Sequence, residues 1–314
     1  MATLLRGLEQ KKDIAVTITG RAPDETLNKL KAYIVLTKPR IIELLLVTTL
    51  PAMFLAKNGV PSIGLMAGTL LGGTMAAGGA NAANMVVDRD IDKLMERTKG
   101  RPLARGVISP MSAAVFAFLL EVAAFVSLWM IANLLAAVLA LAGALFYLFI
   151  YTLWLKRSSS QNIVIGGAAG AVPVLVGWAA VTNSLSWSAV VMFGIVFFWT
   201  PPHFWALALR YRDDYKAAKV PMLPVVSSYN ATALQMLIYT VVLWACSLSL
   251  ILVGSMGLVY IVVSAVAGAI FVWQAWGLYR HAAWTSPMKV FHWSITYLTI
   301  LFVAIALDVV VRYR

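Results

Sequence analysis

The chain has 314 residues, of which 61% are hydrophobic and 12% are charged, and its mean hydropathy is +0.84. Soluble globular proteins are nearer half apolar and a quarter charged, so this composition excludes a water-soluble enzyme, a disordered chain and a disulfide-rich secreted domain. The net charge of +12 would suggest a nucleic-acid partner in a soluble protein. Here the positions of the charges explain the excess, and no nucleic-acid partner is expected.

The first 36 residues are polar and mixed in charge, and they lack the apolar run of a cleavable signal peptide. We expect residues 1–36 to form a short, mobile cytoplasmic arm and residues 37–314 to form one transmembrane domain. Acids in the arm, among them Glu9 and Asp13, argue against a mitochondrial transit peptide, which is acid-poor. A bacterial inner membrane is the favoured location.

Nine apolar segments follow the arm, and most are about 20 residues long, which is enough to cross a hydrocarbon core of about 30 Å. The pattern predicts an all-α polytopic membrane protein whose first segment is short or tilted. The segments are 41–57, 62–83, 111–131, 133–155, 161–182, 187–209, 232–253, 258–279 and 290–311.

Lys and Arg residues lie almost entirely on one side of these nine crossings. Of the 25, 22 fall in the arm and in alternate loops, and the other side has only Lys57, Arg312 and Arg314. Because cytoplasmic loops of membrane proteins carry the excess of Lys and Arg, this split predicts a cytoplasmic N-terminus and an external C-terminus.

Acidic side chains cluster where the second segment ends. Asn84, Asp88 and Asp92 are spaced i, i+4 and i+8, so a continuing helix would stack them on one face, with Asp90 pointing elsewhere. Like charges at this spacing repel. A divalent cation would remove the repulsion, since carboxylate and amide oxygens suit Mg²⁺. The alternative is an ordinary solvated helix end whose acids pair with neighbouring basic residues. Those neighbours are Arg89, Lys93 and Arg97.

A second acidic pair, Asp213 and Asp214, follows the sixth segment. Four crossings separate it from the first cluster, so both face the same side of the membrane. Two acidic clusters with Arg and Lys around them suit a polyanion bridged by Mg²⁺, and diphosphate is the obvious candidate. The phosphate-binding loop of soluble nucleotide enzymes, G-x-x-x-x-G-K-[ST], does not occur in the sequence.

Three further acids, Glu43, Glu121 and Asp308, lie inside apolar segments, where an ionisable group is costly. They either line a cavity or pair between helices, and the sequence does not decide between these roles. Two glycine pairs, Gly68-x-x-x-Gly72 and Gly166-x-x-x-Gly170, indicate close helix packing rather than chemistry.

Several motifs together carry a family resemblance that covers roughly residues 35–310. The run N-x-x-x-D-R-D-x-D at 84–92 resembles the first aspartate motif of the UbiA superfamily of intramembrane prenyltransferases. Four other motifs are similar to the branch of this superfamily that farnesylates heme. They are Thr37-Lys-Pro-Arg40, the Gly-rich run Asn162 to Pro173, Trp199-Thr-Pro-Pro-His203-Phe, and Asp214-Tyr215 followed by Val220-Pro-Met-Leu-Pro224.

The resemblance implies a nine-helix bundle around a central cavity open to the cytoplasmic side. It also implies the transfer of farnesyl from farnesyl diphosphate to heme B, with Mg²⁺, giving heme O and diphosphate. Asn84, Asp88 and Asp92 match the first metal-binding face, and Asp214 matches the first acid of the second motif. Asp213 is adjacent rather than one helical turn away, and position 218 is Ala, so the second ligand set departs from the family pattern.

Other site residues follow from the same resemblance. By position, the basic residues around the diphosphate are Arg40, Arg97, Arg101 and Lys156. Tyr151, Tyr147 and Trp154 are candidates to stabilise an allylic cation, although Trp and Tyr at membrane ends are more often belt anchors. His203 could bind heme iron or a propionate, or it could make a structural hydrogen bond. By family logic the recipient of the product is a heme A synthase or a terminal oxidase.

Three alternatives remain open from the sequence. The first is a prenyltransferase for a quinone or chlorophyll precursor. The second is a transporter, although the acids gather at one membrane face and not near the midplane where transporter sites lie. The third is an assembly subunit of an oxidase, which would not need the residues that suit a diphosphate.

Overall fold

The computed structural model describes residues 25–312, without the side chains of residues 25–28, 40, 41, 44 and 45. Residues 1–24 of the predicted arm, and the side chain of Arg40, therefore lie outside the described residues. Across the described range the chain is helical and contains no β-strand.

Thirteen helices make up the described chain, nine of them long. The long helices are α2 (Pro39–Lys57), α3 (Ile63–Val87), α5 (Pro110–Ile131), α6 (Leu134–Ser158), α7 (Asn162–Thr182), α8 (Trp187–Arg210), α11 (Tyr229–Val253), α12 (Leu258–Tyr279) and α13 (Pro287–Arg312). The short helices are α1 (Glu25–Thr37), α4 (Arg89–Leu94), α9 (Arg212–Ala217) and α10 (Leu223–Val226).

Eight of the long helices in this range are apolar and long enough to cross a membrane, which confirms a multi-pass membrane protein. They correspond to the second to ninth predicted segments. The first predicted segment lies in α2, a helix of 19 residues. Its side chains are described without gaps only over the apolar part Leu46–Lys57, which is shorter than the other eight spans.

Polar caps fix where the apolar helices begin. Ser or Asn precedes five of them, and its side-chain oxygen accepts a hydrogen bond from the backbone N–H three residues later, which satisfies one of the free donors of the first turn. These caps are Ser62, Ser109, Asn133, Ser186 and Ser228. Short loops between capped helices therefore produce an up-and-down bundle.

The bundle has an apolar outer surface and a core built around α7, α8 and α13. Large outward side chains such as Phe118, Trp129 and Leu252 are more than half exposed, as expected of a surface that lipid covers. Helix α1, which belongs to the predicted arm, has two buried side chains, Ala32 and Leu36. Through Ala32 and Leu36, α1 packs on the transmembrane helices.

Three of the four glycines singled out in the sequence permit close packing. A Cβ at Gly68 would collide with Ile131 of α5, and a Cβ at Gly72 would collide with Leu128 of the same helix. A Cβ at Gly166 would overlap the ring of Tyr151, whereas Gly170 has nothing within 4 Å.

Candidate functional site

The predicted stack of Asn84, Asp88 and Asp92 is present and buried. Asp88 joins the end of α3 to the start of α4 with a near-helical backbone, so the spacing of one helix face continues across the junction. Asn84 Nδ2 donates a hydrogen bond to Asp88 Oδ2 at 2.7 Å. The exposed fractions of the three residues are 2%, 0% and 2%. A buried face of this kind is unlike a solvated helix end.

The cations that pair with these acids lie outside the helices that hold the acids. Lys156, at the end of α6, forms an ion pair with Asp88. Arg101 Nη1 lies 2.8 Å from both carboxylate oxygens of Asp92. In contrast, Arg89 donates to the carbonyl of Val86 at 2.9 Å. The structure therefore does not support the alternative in which Arg89, Lys93 and Arg97 neutralise the acids.

Asp90 points to a different face, as the spacing predicts. Arg157 binds it through two hydrogen bonds of 2.8 Å and 2.7 Å. The hydrogen bonds from this guanidinium lower the pKa of Asp90 to about 2. The pair is largely exposed, with side-chain exposures of 38% and 61%.

Lys38 belongs to the site, although it was not among the site residues predicted from the sequence. Its Nζ donates to Asn84 Oδ1 at 2.8 Å. Burial lowers the pKa of Lys38 to about 7, with further lowering by the charges of Arg101 and Lys156. The signal that could have found it is its place in the Thr37-Lys-Pro-Arg40 motif. Three cations crowded beside two buried carboxylates would favour a polyanionic ligand.

The donor set at Asp88 suits a hard divalent cation. Asp88 Oδ1 is buried and has no hydrogen-bond partner among the described residues, and Arg157 Nη2 lies 4.0 Å from it. No group of three His, Cys, Asp or Glu side chains within residues 25–312 is arranged to hold a metal alone. Mg²⁺ is commonly held by one or two carboxylates together with waters and substrate phosphates, so these residues fit a metal that arrives with a diphosphate.

The second acidic pair meets the first cluster, as the count of crossings predicts. Asp214 Oδ2 accepts a hydrogen bond from the backbone N–H of Arg97 at 3.3 Å. The guanidinium of Arg97 lies over the ring of Tyr211, 5.9 Å from its centroid. Asp213 is exposed on α9, and Ala218, one helical turn after Asp214, is buried.

A π-helical segment of α6, Phe146–Leu155, supplies another wall of the site. Its Thr152 accepts from Asn84 Nδ2 at 3.1 Å and donates to the carbonyl of Tyr147 at 2.8 Å. Tyr147 and Tyr151 stack with their centroids 5.4 Å apart. Trp154 is 61% exposed, which favours a membrane-belt position over a role in the site.

His203 is buried at the interface of α8 and α13. Its Nδ1 lies 2.7 Å from Ser294 Oγ, and the ring stacks on Trp199 and Phe291, with centroids 4.1 Å and 4.6 Å away. The structural hydrogen bond considered from the sequence is thus present at Nδ1, while its role toward heme stays a prediction.

The three acids inside apolar segments have different surroundings. Asp308 accepts from the backbone N–H groups of Gly257 and Tyr260 at 2.7 Å and 3.2 Å, and it pairs with Arg312 at 2.8 Å, which makes it a structural cap for α12. Glu121 lies beside Gly79 between α5 and α3 and lines an apolar cavity of about 580 Å³. Glu43 is exposed on α2.

With this geometry in view, comparison with known proteins is decisive. The UbiA prenyltransferase family matches residues 45–304. The chain belongs to the UbiA prenyltransferase family. This membership confirms the predicted enzyme class and excludes the transporter and assembly-subunit alternatives.

Several UbiA prenyltransferases are close in sequence to this chain. "Protoheme IX farnesyltransferase" of Clavibacter michiganensis is 52% identical over 300 residues, which cover 93% of this chain and 98% of that protein. "Protoheme IX farnesyltransferase 1" of Saccharopolyspora erythraea is 55% identical over 282 residues, covering 89% and 90%. "Protoheme IX farnesyltransferase" of Streptomyces coelicolor is 49% identical, covering 90% and 92%.

Solved structures share the UbiA fold at low sequence identity. A structure described for digeranylgeranylglyceryl phosphate synthase superposes with a TM-score of 0.74 at 18% identity, over 90% of this chain and 99% of that one. A UbiA homolog from Archaeoglobus fulgidus bound to DMAPP and Mg²⁺ gives 0.67 at 16% identity, over 89% and 99%. They confirm the all-helical membrane fold.

Proposed function

We propose that this protein transfers the farnesyl group of farnesyl diphosphate to a vinyl group of heme B, with addition of water, giving heme O and diphosphate. The observation that carries the proposal is the identity of about half of all residues, over nearly full length, with proteins named protoheme IX farnesyltransferase. The buried Asn84–Asp88–Asp92 face supports it, because it supplies the groups that a diphosphate ester with Mg²⁺ requires.

The metal-binding residues in this proposal are Asn84, Asp88 and Asp92, joined from the second cluster by Asp213 and Asp214. The solved UbiA homolog with DMAPP and Mg²⁺ supports this choice of cation for the family. Bound Mg²⁺ would supply charge neutralisation for the diphosphate leaving group. Asp88, Asp92 and Asp214 are the residues that we assign to catalysis.

The basic residues exchange partners when substrate binds. Without substrate, Lys156 and Arg101 neutralise Asp88 and Asp92. In the proposed complex they turn to the phosphate oxygens, together with Lys38, Arg40 and Arg97. The negative charge that develops as the C1–O bond breaks is then met by preplaced cations, which lowers the barrier to ionisation.

The chemistry after ionisation depends on the walls of the site. The bonding electrons leave with the diphosphate, and the vinyl π electrons of heme form the new C–C bond to C1 of the farnesyl cation. Water then adds to the resulting cation beside the porphyrin and loses a proton, which completes the hydroxyethylfarnesyl group. Tyr151, stacked on Tyr147, presents an aromatic face that stabilises the allylic cation and helps exclude water until the bond forms.

We assign His203 to the heme side of the site. Ser294 occupies its Nδ1 and leaves Nε2 for heme iron or a propionate. The proposed location is a bacterial inner membrane with the N-terminus in the cytoplasm, supported by the Lys and Arg distribution and by the bacterial relatives. A heme A synthase or a terminal oxidase is the recipient that fits the product.

The test is a reconstituted reaction with heme B, farnesyl diphosphate and Mg²⁺, followed by extraction and separation of the hemes. We expect heme O to form and to disappear with EDTA. Asp88→Asn should lower the rate at least about 100-fold, since it removes a carboxylate that holds the metal ion neutralising the leaving group. The matched variant Asp90→Asn, two residues away and largely exposed, should stay within a few-fold of wild type.

Two outcomes would contradict the proposal. Prenylation of a quinone-type acceptor, with none of heme B, would keep the prenyl transfer and exclude heme as the acceptor. Normal heme O formation by a folded Asp88→Asn variant would exclude the assigned metal-binding face.

A further inference from the structure

Asn162 is a buried polar residue with no partner. Its exposed fraction is 0%, and neither Nδ2 nor Oδ1 has a hydrogen-bond partner among the described residues. Buried amide groups are almost always paired in native proteins, and those that are not are commonly found where a ligand or water completes them. An apolar side chain at this position would avoid the free-energy cost of an unpaired buried amide. The presence of Asn therefore indicates that a ligand forms hydrogen bonds with it.

Asn162 lies on a face of α7 that packs against the α6 wall of the proposed diphosphate site. It is the first residue of α7, and Gly166, one turn later on the same face, packs against the ring of Tyr151. Tyr151 belongs to the π-helical segment that also provides Thr152 to Asn84 and is followed directly by Lys156, the partner of Asp88. The face of α7 that includes Asn162 therefore packs against the wall that contacts Asn84 and Asp88.

The start of α7 adds an electrostatic preference. Gln161 at the N-cap makes no side-chain cap hydrogen bond, so the first turn has N–H groups without a side-chain acceptor. A helix N-terminus favours an anion through these groups and through the helix dipole. An amide Nδ2 group is also a good donor to a phosphate oxygen. Both the helix N-terminus and the amide donor favour a phosphate group as the ligand.

We propose that Asn162 and the N-terminus of α7 form a phosphate-binding subsite for the prenyl diphosphate. Nδ2 donates to a diphosphate oxygen, and Oδ1 accepts from a water that enters with the anion. The inference rests on the proposed function for the identity of the substrate, but its ligand is the diphosphate group alone. Asn162 is thus a substrate-binding residue, satisfied only in the complex.

The test measures binding of inorganic diphosphate with Mg²⁺ to the full chain in detergent by calorimetry, beside the thermal midpoint without ligand. Asn162→Leu keeps the branched shape of the side chain and removes the unpaired amide. We expect its Kd for diphosphate to rise at least about tenfold, since a hydrogen bond to a charged group is lost. We also expect the thermal midpoint to be equal to or above that of wild type.

A matched control separates a ligand role from burial alone. Thr69 is also fully buried with an unpaired Oγ1, and it lies near the start of α3, far along that helix from Asp88. Thr69→Val should likewise keep or raise the thermal midpoint, and it should leave diphosphate binding unchanged. The same pattern should appear in the KM for farnesyl diphosphate, raised in Asn162→Leu and unchanged in Thr69→Val.

Wild-type affinity for diphosphate in Asn162→Leu would overturn the inference. If that variant does not fold, Asn162→Ala decides, because it removes the amide without adding bulk or charge, and wild-type affinity for diphosphate in that variant would overturn the subsite. Wild-type protein that binds diphosphate yet makes no heme O would contradict the proposed acceptor and leave this inference standing.

Discussion

At the scale of single residues, the site is a set of buried charges held in pairs until substrate arrives. Asp88 and Asp92 are buried, and each is neutralised by a cation from another element. Taking charges out of water is expensive, and a buried pair is stabilising only when both partners are present. The stability of the protein therefore depends on Lys156 and Arg101, and in the proposed function the same two residues bind the diphosphate.

Substitutions at the neighbouring residues Lys156 and Arg157 should lower the free energy of unfolding by different amounts. Lys156→Met removes the closest ion pair of Asp88 and leaves its buried carboxylate with only the guanidinium of Arg157, 4.0 Å away. Removal of one partner of a buried pair costs about 3–5 kcal/mol. Arg157→Met breaks the largely exposed pair with Asp90, and exposed pairs contribute about 0–1 kcal/mol. Denaturant unfolding in mixed micelles should therefore show a large loss of unfolding free energy only for Lys156→Met. Equal losses would contradict the pairing described for the site.

The first acidic face could be predicted from the sequence because its geometry is local. Helical spacing alone brings Asn84, Asp88 and Asp92 to one side, and the structure has them there. The partners could not be predicted, because Lys38 and Lys156 are separated from Asn84 and Asp88 by 46 and 68 positions. Such contacts depend on how the helices pack, and one sequence does not specify this.

At the scale of secondary-structure elements, the π-helical segment of α6 shapes the wall of the site. A wider turn changes which residues share a face, and π-helical turns are frequent at functional sites. Here Tyr147 and Thr152, five positions apart, are linked by a hydrogen bond. The sequence of 146–155 is apolar and has neither Gly nor Pro, so periodicity predicts an ordinary membrane helix there. The difference arises from the packing of α6 on α3 and α7.

Two glycines on α7 provide a test of that packing. A Cβ at Gly166 would overlap the ring of Tyr151, whereas Gly170 has open space. Gly166→Ala should destabilise the protein by about 1–3 kcal/mol through overpacking and should lower kcat by displacing Tyr151. Gly170→Ala should be neutral or slightly stabilising, since Ala is the better helix former. Thermal unfolding and turnover of both variants provide the comparison, and identical behaviour would contradict the role of Gly166.

At the scale of the whole molecule, the number and direction of the helices bring the two acidic clusters together. Both α3 and α8 end at the polar side, and four helices of membrane-spanning length, α5 to α8, separate those ends. An even number of crossings returns the chain to the same side, and the hydrogen bond between the backbone of Arg97 and Asp214 agrees with this. Helix α2 also runs the length of the bundle, because Lys38 at its start meets Asn84 and α3 begins at the opposite end.

The orientation of this bundle in the membrane is the last prediction, and the chain makes it simple to test because Cys246 is its only cysteine. In a Cys246→Ala background, Glu96→Cys places a thiol in the polar loop after α4, and Ser184→Cys places one between α7 and α8, where both native residues are exposed. The excess of Lys and Arg predicts that the first lies in the cytoplasm and the second outside. A membrane-impermeant maleimide should therefore label intact cells at position 184 and label position 96 only after lysis, with the background variant unlabelled. The reverse pattern would place the diphosphate site outside the cell, where the cytoplasmic supply of farnesyl diphosphate could not reach it.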